Sequence, residues 1–413
     1  MLLGPVSPGN CRFFDMNISF ITNKVPFPPD KGERIRSYNL LKAASSFAQV
    51  SLYSLCSAGE EQGSARAELD KLCAKVSFYP ICPYVSASRM CLSLFTGSPL
   101  TFAYFHSSDM LADIKKAVIS GEADAVFAYC SSSARYAMDL GNVPRVVDFV
   151  DVDSFKWEEY SRVSRFPLSL IYGLEAKRLR EAEKTMLSEF SRSIVTTEKE
   201  KEKLVSIFTP SEPKASVIPN GVDVPYFSRP GEGGYEAEAG AIVFTGQMDY
   251  MPNVDAAVYF YNEVLPKIRE RFPAARFRIV GRAPSPKLQA TCRDAEITGY
   301  VPDIRPYLWS SAVYVAPLRI SYGVPNKVLE AMAAGVPVVA TSRAVQGIRV
   351  EKGKDVLVAD TPGEMAEKIV SLLENSALRE EMSRRAKEYV LKEHDWDATG
   401  HKLKDIFSEI KAE

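Results

Sequence analysis

The stretch SYGVPNKVLEAMAAGVPVVAT, residues 321–341, places Lys327 and Glu330 at the mouth of an otherwise small and apolar helix. A helix start presents unpaired backbone N–H groups and the positive end of the helix dipole. Gly323 leads the turn, Pro325 suits the first helical position and Asn326 suits a position near the cap. A phosphate is the natural guest there, and Lys327 adds a point charge. Glu330 lies about one turn further on, where a carboxylate can accept hydrogen bonds from two adjacent ribose hydroxyls. The plainer alternative is a solvated Lys327 and a Glu330 that merely favours the helix start. Gly335 ends the helix, and Ala331, Ala333 and Ala334 allow close packing on a sheet.

Bulk composition narrows the class. The chain has 413 residues, 46% hydrophobic and 25% charged, which is globular and large enough for two or three domains. A formal net charge of -1 argues against a nucleic-acid partner. Seven cysteines without a CxxC pair fit a reducing cytoplasm better than a disulfide frame or a zinc site. Three histidines make a His-rich metal centre improbable, so no metal is expected. No apolar run approaches the ~20 residues of a membrane span, and the opening lacks the pattern of a signal peptide.

Strands and helices alternate almost throughout. NISFIT (17–22) reads as a buried strand, followed by a helix with Ile35, Tyr38 and Leu41 on one side. ADAVFAYC and PRVVDFV are further strands, and a helical region spans 155–190 with an interruption at Pro167. Residues 221–240 are rich in Gly, Pro and Glu without an apolar period and read as a linker. The alternation then restarts with AIVFTG, RFRIVG, AVYVAPL, PVVAT and DVLVAD. The expected fold class is α/β, two Rossmann-like doubly wound parallel-sheet domains facing a cleft. The expected divisions are a loose extension at 1–15, one domain at 16–220, the linker, a second domain at 241–394, and a last helix at 395–413 that crosses back onto the first domain.

GVPNKVLEAMAAGVPVVAT resembles the donor-nucleotide motif of the retaining GT-B glycosyltransferases of family 4. FTGQMDYMPNVDA (244–256), IVGRAPSPKL (279–288), TGYVPDIRPYL (298–308) and VAPLRISYG (315–323) match that superfamily in order. VPNKVLEAMA together with FTGQMDYMPN is more narrowly similar to sugar transferases of exosortase (PEP-CTERM) exopolysaccharide systems, and PFPPDKGERIRSYNLL (26–41) and VPRVVDFVDVDSFKW (143–157) support that narrower match in the first half. The resemblance implies a nucleotide-sugar donor, a glycan or lipid-linked acceptor, and no cofactor. Glu330 matches the second glutamate of the E-x7-E pattern, whereas Tyr322 stands where the first is usual. Gly246, Gln247 and Asn253 fall near the places of the usual phosphate-cradling Arg and Lys, leaving Lys327, Arg282 and Arg319 as candidate cations.

In the first half, Lys31, Gly32 and Arg36 match the loop after the first strand, which the resemblance places near the donor phosphate or the acceptor. VVDFVDVDS carries three aspartates where many family members have a histidine. Asp151 is the expected acceptor-facing group, as general base or as stabiliser of positive charge at the anomeric carbon; Asp148 or Asp153 could hold that role. MCLSLFTGSPLTFAYF (90–105) either packs on its own sheet or touches a membrane surface, which would make the protein peripheral at the inner face of the cell membrane. Alternatives are a nucleotide-sugar 2-epimerase of the same fold, or a nucleotide-sugar-binding protein that has lost catalysis.

Overall fold

The computed structural model describes residues 15–30, 32–57, 62–208, 214–231, 236–320 and 326–412. The proposed extension at 1–15 therefore lies, up to residue 14, outside the described residues, as do Lys31, Tyr322 and Gly323. Two compact units emerge. The first runs to Val195 and includes Glu200–Ser216 and the chain from Gly400 onward; the second comprises Thr196–Lys199 and Val217–Thr399.

In the first unit, strands β1 (Asn17–Thr22), β2 (Gln49–Ser57), β3 (Lys75–Ile81), β4 (Ala125–Tyr129), β5 (Arg145–Val150), β6 (Arg192–Val195) and β7 (Ala215–Val217) form one sheet in the order 3-2-1-4-5-6-7. Its pairings from β3 to β6 are parallel. β4 is buried at every residue, as a strand covered by helices on both faces must be. The helical region that begins after β5 divides around Pro167 into Asp153–Val163 and Leu168–Glu189.

The second unit repeats the scheme with β8 (Glu238–Thr245), β9 (Arg276–Val280), β10 (Glu296–Gly299), β11 (Ser311–Ala316), β12 (Val338–Ala340) and β13 (Leu357–Val358), in the order 10-9-8-11-12-13 and parallel throughout. Strand order reverses between β1 and β4 in the first sheet and between β8 and β11 in the second. Such switch points open a crevice at the carboxyl ends of the strands. The helix Asn326–Ala333 buries Val328, Leu329, Ala331, Met332 and Ala333, and Gly335 stops it at a φ of 70°.

The 221–240 segment is not a free-standing linker. Val222 and Val224 belong to the second unit's apolar core, and the Trp309 indole donates to Phe227 O at 2.8 Å. Residues 232–235 lie outside the described residues, and the part from Val222 to Phe227 is fastened to the second unit. The segment 90–105 divides as well. Leu100 and Phe102 are buried, whereas Leu92 and Phe95 on the helix Pro83–Thr96 are exposed.

The last helix, Trp396–Ala412, joins the first unit from Gly400 onward. There the Phe407 ring lies 5.9 Å from Phe47 and 6.3 Å from Phe127, and is 1% exposed. Emptying so tightly enclosed a site removes transfer energy and leaves a cavity. Phe407→Ala is therefore expected to cost the first unit about 3–5 kcal/mol in urea unfolding, the range for buried phenylalanines. An unchanged midpoint would show that the helix contributes nothing to that core.

Candidate active site

In the second unit the switch point is built by glycines. Gly246 ends β8 and donates its N–H to Val280 O at 3.0 Å. A Cβ on Gly281 would sit 1.7 Å from Gly246 O, so the turns leaving β8 and β9 touch only because Gly281 lacks a side chain. A Cβ on Gly246 would lie 2.7 Å from Asn253 Nδ2 and 2.8 Å from Lys327 Nζ. Gly246 thus keeps open the space into which Lys327 reaches.

Lys327 Nζ donates to Asn253 Oδ1 at 2.5 Å, and Asn253 Nδ2 donates in turn to Gln247 O at 2.8 Å. The ammonium also stands 4.8 Å from the Phe244 ring centroid. Among the described residues no carboxylate lies within ion-pair distance of it. Burial lowers the Lys327 pKa to about 8, against an opposing pull from Glu330, and burial raises that of Glu330 to about 7. Glu330 in turn adds to the upward shift that burial imposes on the Tyr314 phenol, whose OH pairs with Thr245 Oγ1 at 3.1 Å. The result is a cation held by a neutral amide and a ring face, one helical turn from a carboxyl group.

The other expected donor-side cations behave differently from each other. Arg282 extends toward Gln247, with Nη2 3.5 Å from Oε1, and so stays at this switch point. Arg319 is a correction. Its guanidinium forms a two-pronged pair with Asp255, at 3.0 and 2.5 Å, and stacks 4.8 Å from the Tyr259 centroid. A guanidinium already neutralised by a carboxylate is a poor ligand for phosphate.

The first unit corrects a second expectation. Arg36 does not stand in an open loop: it is 1% exposed and its Nε and Nη2 bind Asp148 Oδ2 and Oδ1 at 2.7 and 3.1 Å. Gly32 is the exposed first residue of the helix Gly32–Phe47 rather than a close backbone approach. Asp148 is wholly buried and also accepts the N–H of Val150 at 3.1 Å, so it cannot face an acceptor. Val150 adopts a φ of 65°, a conformation costly for a β-branched residue. The Arg36–Asp148 pair therefore fastens the turn that presents Asp151.

Around that turn, Asp153 accepts from Ser131 Oγ at 2.5 Å, Val152 N–H donates to Glu200 Oε2 at 2.8 Å, and Ser154 N–H donates to Glu183 Oε1 at 3.0 Å. Asp151 accepts no hydrogen bond among the described residues, and burial, reinforced by Glu200 and Asp153, raises its pKa to about 6. Asp153 is committed to Ser131, which leaves Asp151 as the uncommitted carboxylate of the three. Sequence reasoning missed Glu183 and Glu200, which lie on other elements and carry no local motif. Among the described residues no cluster of His, Cys, Asp and Glu has the geometry of a metal site, and no helix is long and apolar enough to cross a membrane.

With this geometry in view, comparison with known proteins bears on the second unit most directly. Residues 239–375 match the family model for glycosyl transferases group 1. The phosphatidyl-myo-inositol mannosyltransferase of Mycolicibacterium smegmatis is 32% identical over 203 residues, covering 47% of this chain and 51% of the relative. Its counterpart in Mycobacterium tuberculosis is 27% identical over 206 residues, covering 47% and 53%. The chain thus spans about half the length of these curated relatives. Among solved structures, a glycosyltransferase from Rickettsia africae superposes with a TM-score of 0.65 at 16% identity, covering 96% of this chain and 99% of the other. Anabaena HepE in complex with UDP-glucose gives 0.65 at 14%, covering 95% and 100%. These likenesses establish the fold as GT-B, two parallel-sheet α/β units. The group 1 glycosyltransferase match encloses Gly246, Asn253, Arg282, Lys327 and Glu330.

Glu183 makes the first unit's electrostatics testable. Burial raises its pKa from 4.5 to about 8, with Asp153 adding to the shift and Arg180 opposing it, and its Oε2 has no hydrogen-bond partner among the described residues. A carboxyl whose folded pKa is raised stabilises the fold fully below its unfolded pKa and loses that contribution as pH rises through the folded one. Stability of the first unit should fall between pH 4.5 and about 8, and Glu183→Gln should flatten that fall in urea titrations. A slope unchanged by the substitution would assign the pH dependence to other groups.

Proposed function

We propose that this protein is a retaining, metal-independent glycosyltransferase that moves a sugar from a nucleotide-sugar donor to a glycan or lipid-linked acceptor. One observation carries the reading: Lys327, at the first turn of a helix on the switch point, has no carboxylate partner among the described residues. A half-buried ammonium answered only by an amide and a ring retains most of its attraction for an incoming anion. A diphosphate satisfies it and the amide groups of the helix start together. Glu330, one turn on, is suited to the ribose hydroxyls, and Arg282 to the phosphate rim. The likeness to phosphatidyl-myo-inositol mannosyltransferases and to HepE, solved in complex with UDP-glucose, supports such a donor and acceptor. The exposed Leu92 and Phe95 are compatible with a lipid-linked acceptor. A role in exopolysaccharide assembly rests on the narrower motif likeness.

In the proposed reaction the acceptor oxygen bonds to the anomeric carbon on the face from which the diphosphate departs. The bond to the leaving oxygen breaks and its electron pair stays on the diphosphate. The acceptor proton passes to the leaving diphosphate while Asp151 stabilises the positive charge developing at the anomeric carbon, or it passes to the Asp151 carboxylate where that group acts as general base. Transition-state charge on the diphosphate is met by Lys327 and the helix amides.

Calorimetry with UDP-, GDP- and ADP-sugars tests the donor side. Lys327→Ala should weaken nucleoside diphosphates by about tenfold or more while nucleosides bind as before, the cost of one charge-assisted hydrogen bond. Glu330→Ala should weaken nucleosides and diphosphates alike, and wild-type affinity in that variant would remove the ribose assignment. For Asp151, the ionised form is the active one, so transfer should fall as pH drops through about 6. Asp151→Asn should abolish transfer and keep donor binding; full activity would move the acceptor-side role elsewhere.

A further inference from the structure

Within the second unit, the segment entering it and the segment leaving it are stitched together. Val222 N–H donates to His394 O at 2.7 Å, and Val222 and Asp395 form an isolated parallel bridge. A Cβ on Gly221 would fall 2.5 Å from the Trp396 ring, so the indole lies against this backbone only because residue 221 is glycine. Beside this clasp lies a chain of hydrogen bonds. Arg349 N–H donates to Tyr389 Oη at 2.9 Å, Tyr389 Oη lies 3.1 Å from His394 Nε2, and His394 Nδ1 lies 2.8 Å from Asn220 O. A carbonyl oxygen only accepts, so Nδ1 carries the imidazole proton and Nε2 accepts from the phenol. His394 is 3% exposed, which holds that arrangement away from water.

The chain ends at the anion cradle. Asn220 Nδ2 donates to Asn326 Oδ1 at 3.3 Å, and Asn326 opens the helix whose next residue is Lys327. The side-chain oxygen of an asparagine in the first turn of a helix can accept from the free amide groups there and occupy them. Here the described bond to that oxygen comes from Asn220 instead.

We propose that Asn220, held by His394 and Tyr389, is a positioning residue for the donor diphosphate. It draws the Asn326 side chain aside and keeps the helix amides beside Lys327 open to an anion. This role rests on the nucleotide-diphosphate reading of the cradle. It assigns a function to the IPNGVD turn (218–223), which lies more than a hundred residues before the donor motif.

Calorimetric titration of the full chain with UDP, GDP and ADP and with their nucleosides distinguishes the possibilities. Asn220→Ala should release Asn326 onto its own helix and weaken the bound diphosphate by about tenfold, with nucleoside affinity kept within about twofold. Adding Asn326→Ala removes the competing oxygen, so the double variant should recover most of the lost diphosphate affinity, a rescue that a general loss of stability would not give. His394→Phe, which keeps the ring and drops both hydrogen bonds, should shift diphosphate binding in the same direction. Should Asn220→Ala fold poorly by thermal melting, Asn220→Ser carries the same comparison. Unchanged diphosphate affinity, equal losses for nucleoside and diphosphate, or a double variant as weak as the single one would each overturn the role. Lys327→Ala separates the two levels. If it too leaves diphosphate binding intact, the cradle itself is wrong; if it alone weakens binding, only the role of Asn220 falls.

Discussion

An ammonium half withdrawn from water needs something in exchange for its hydration, and Lys327 receives one amide oxygen and one ring face rather than a carboxylate. The second unit is arranged to make that incomplete exchange possible. Gly281 lets two turns touch, and Gly246 leaves space at the end of β8 for the Lys327 ammonium. Asn253 is oriented by Gln247 O, so its oxygen faces the ammonium. Elsewhere the chain neutralises its guanidinium groups: Arg319 by Asp255, Arg36 by Asp148, Arg278 by Glu238 and Glu296. Lys327 has no such carboxylate partner among the described residues.

The first unit solves a different problem with similar materials. A strained turn after β5 must hold its shape, with Val150 in the left-handed region. The buried Arg36–Asp148 pair supplies the restraint, because Asp148 also binds the Val150 amide. Buried pairs of this kind contribute little net stability compared with apolar packing, and their value lies in fixing one geometry. Glu200 and Glu183 then take the amides of Val152 and Ser154, so backbone on either side of Asp153 is anchored by carboxylates. Burial, reinforced by the acidic neighbours Glu200 and Asp153, raises the pKa of Asp151. A carboxylate raised toward neutrality is a better base than an ordinary one.

The likeness to group 1 glycosyltransferases is concentrated in residues 239–375, while the structural likeness extends over nearly the whole chain. That distribution follows from the physics of the two halves. On the proposed reading, an anion seated at the helix start beside Lys327 constrains that helix, the lysine and the glycines around it. The sheet that carries Asp151 needs only buried apolar strands in the right order, which many sequences satisfy.

Local chemistry was legible in the amino-acid sequence: strand-helix alternation, the interruption at Pro167, and the spacing of Lys327 and Glu330 all depend on residues a few positions apart. Those signals survive in one dimension because periodicity and helix caps are properties of short segments. The partners of the charges were not legible. Arg36 finds Asp148 across 112 positions, Arg319 finds Asp255 across 64, and Lys327 finds Asn253 across 74. The same limit made 221–240 look like a tether, since Val222 and Val224 gain their burial from distant strands. Only strand order and register decide which cation meets a carboxylate and which meets a neutral amide, because electrostatic interaction depends on distance in space and not on distance along the chain.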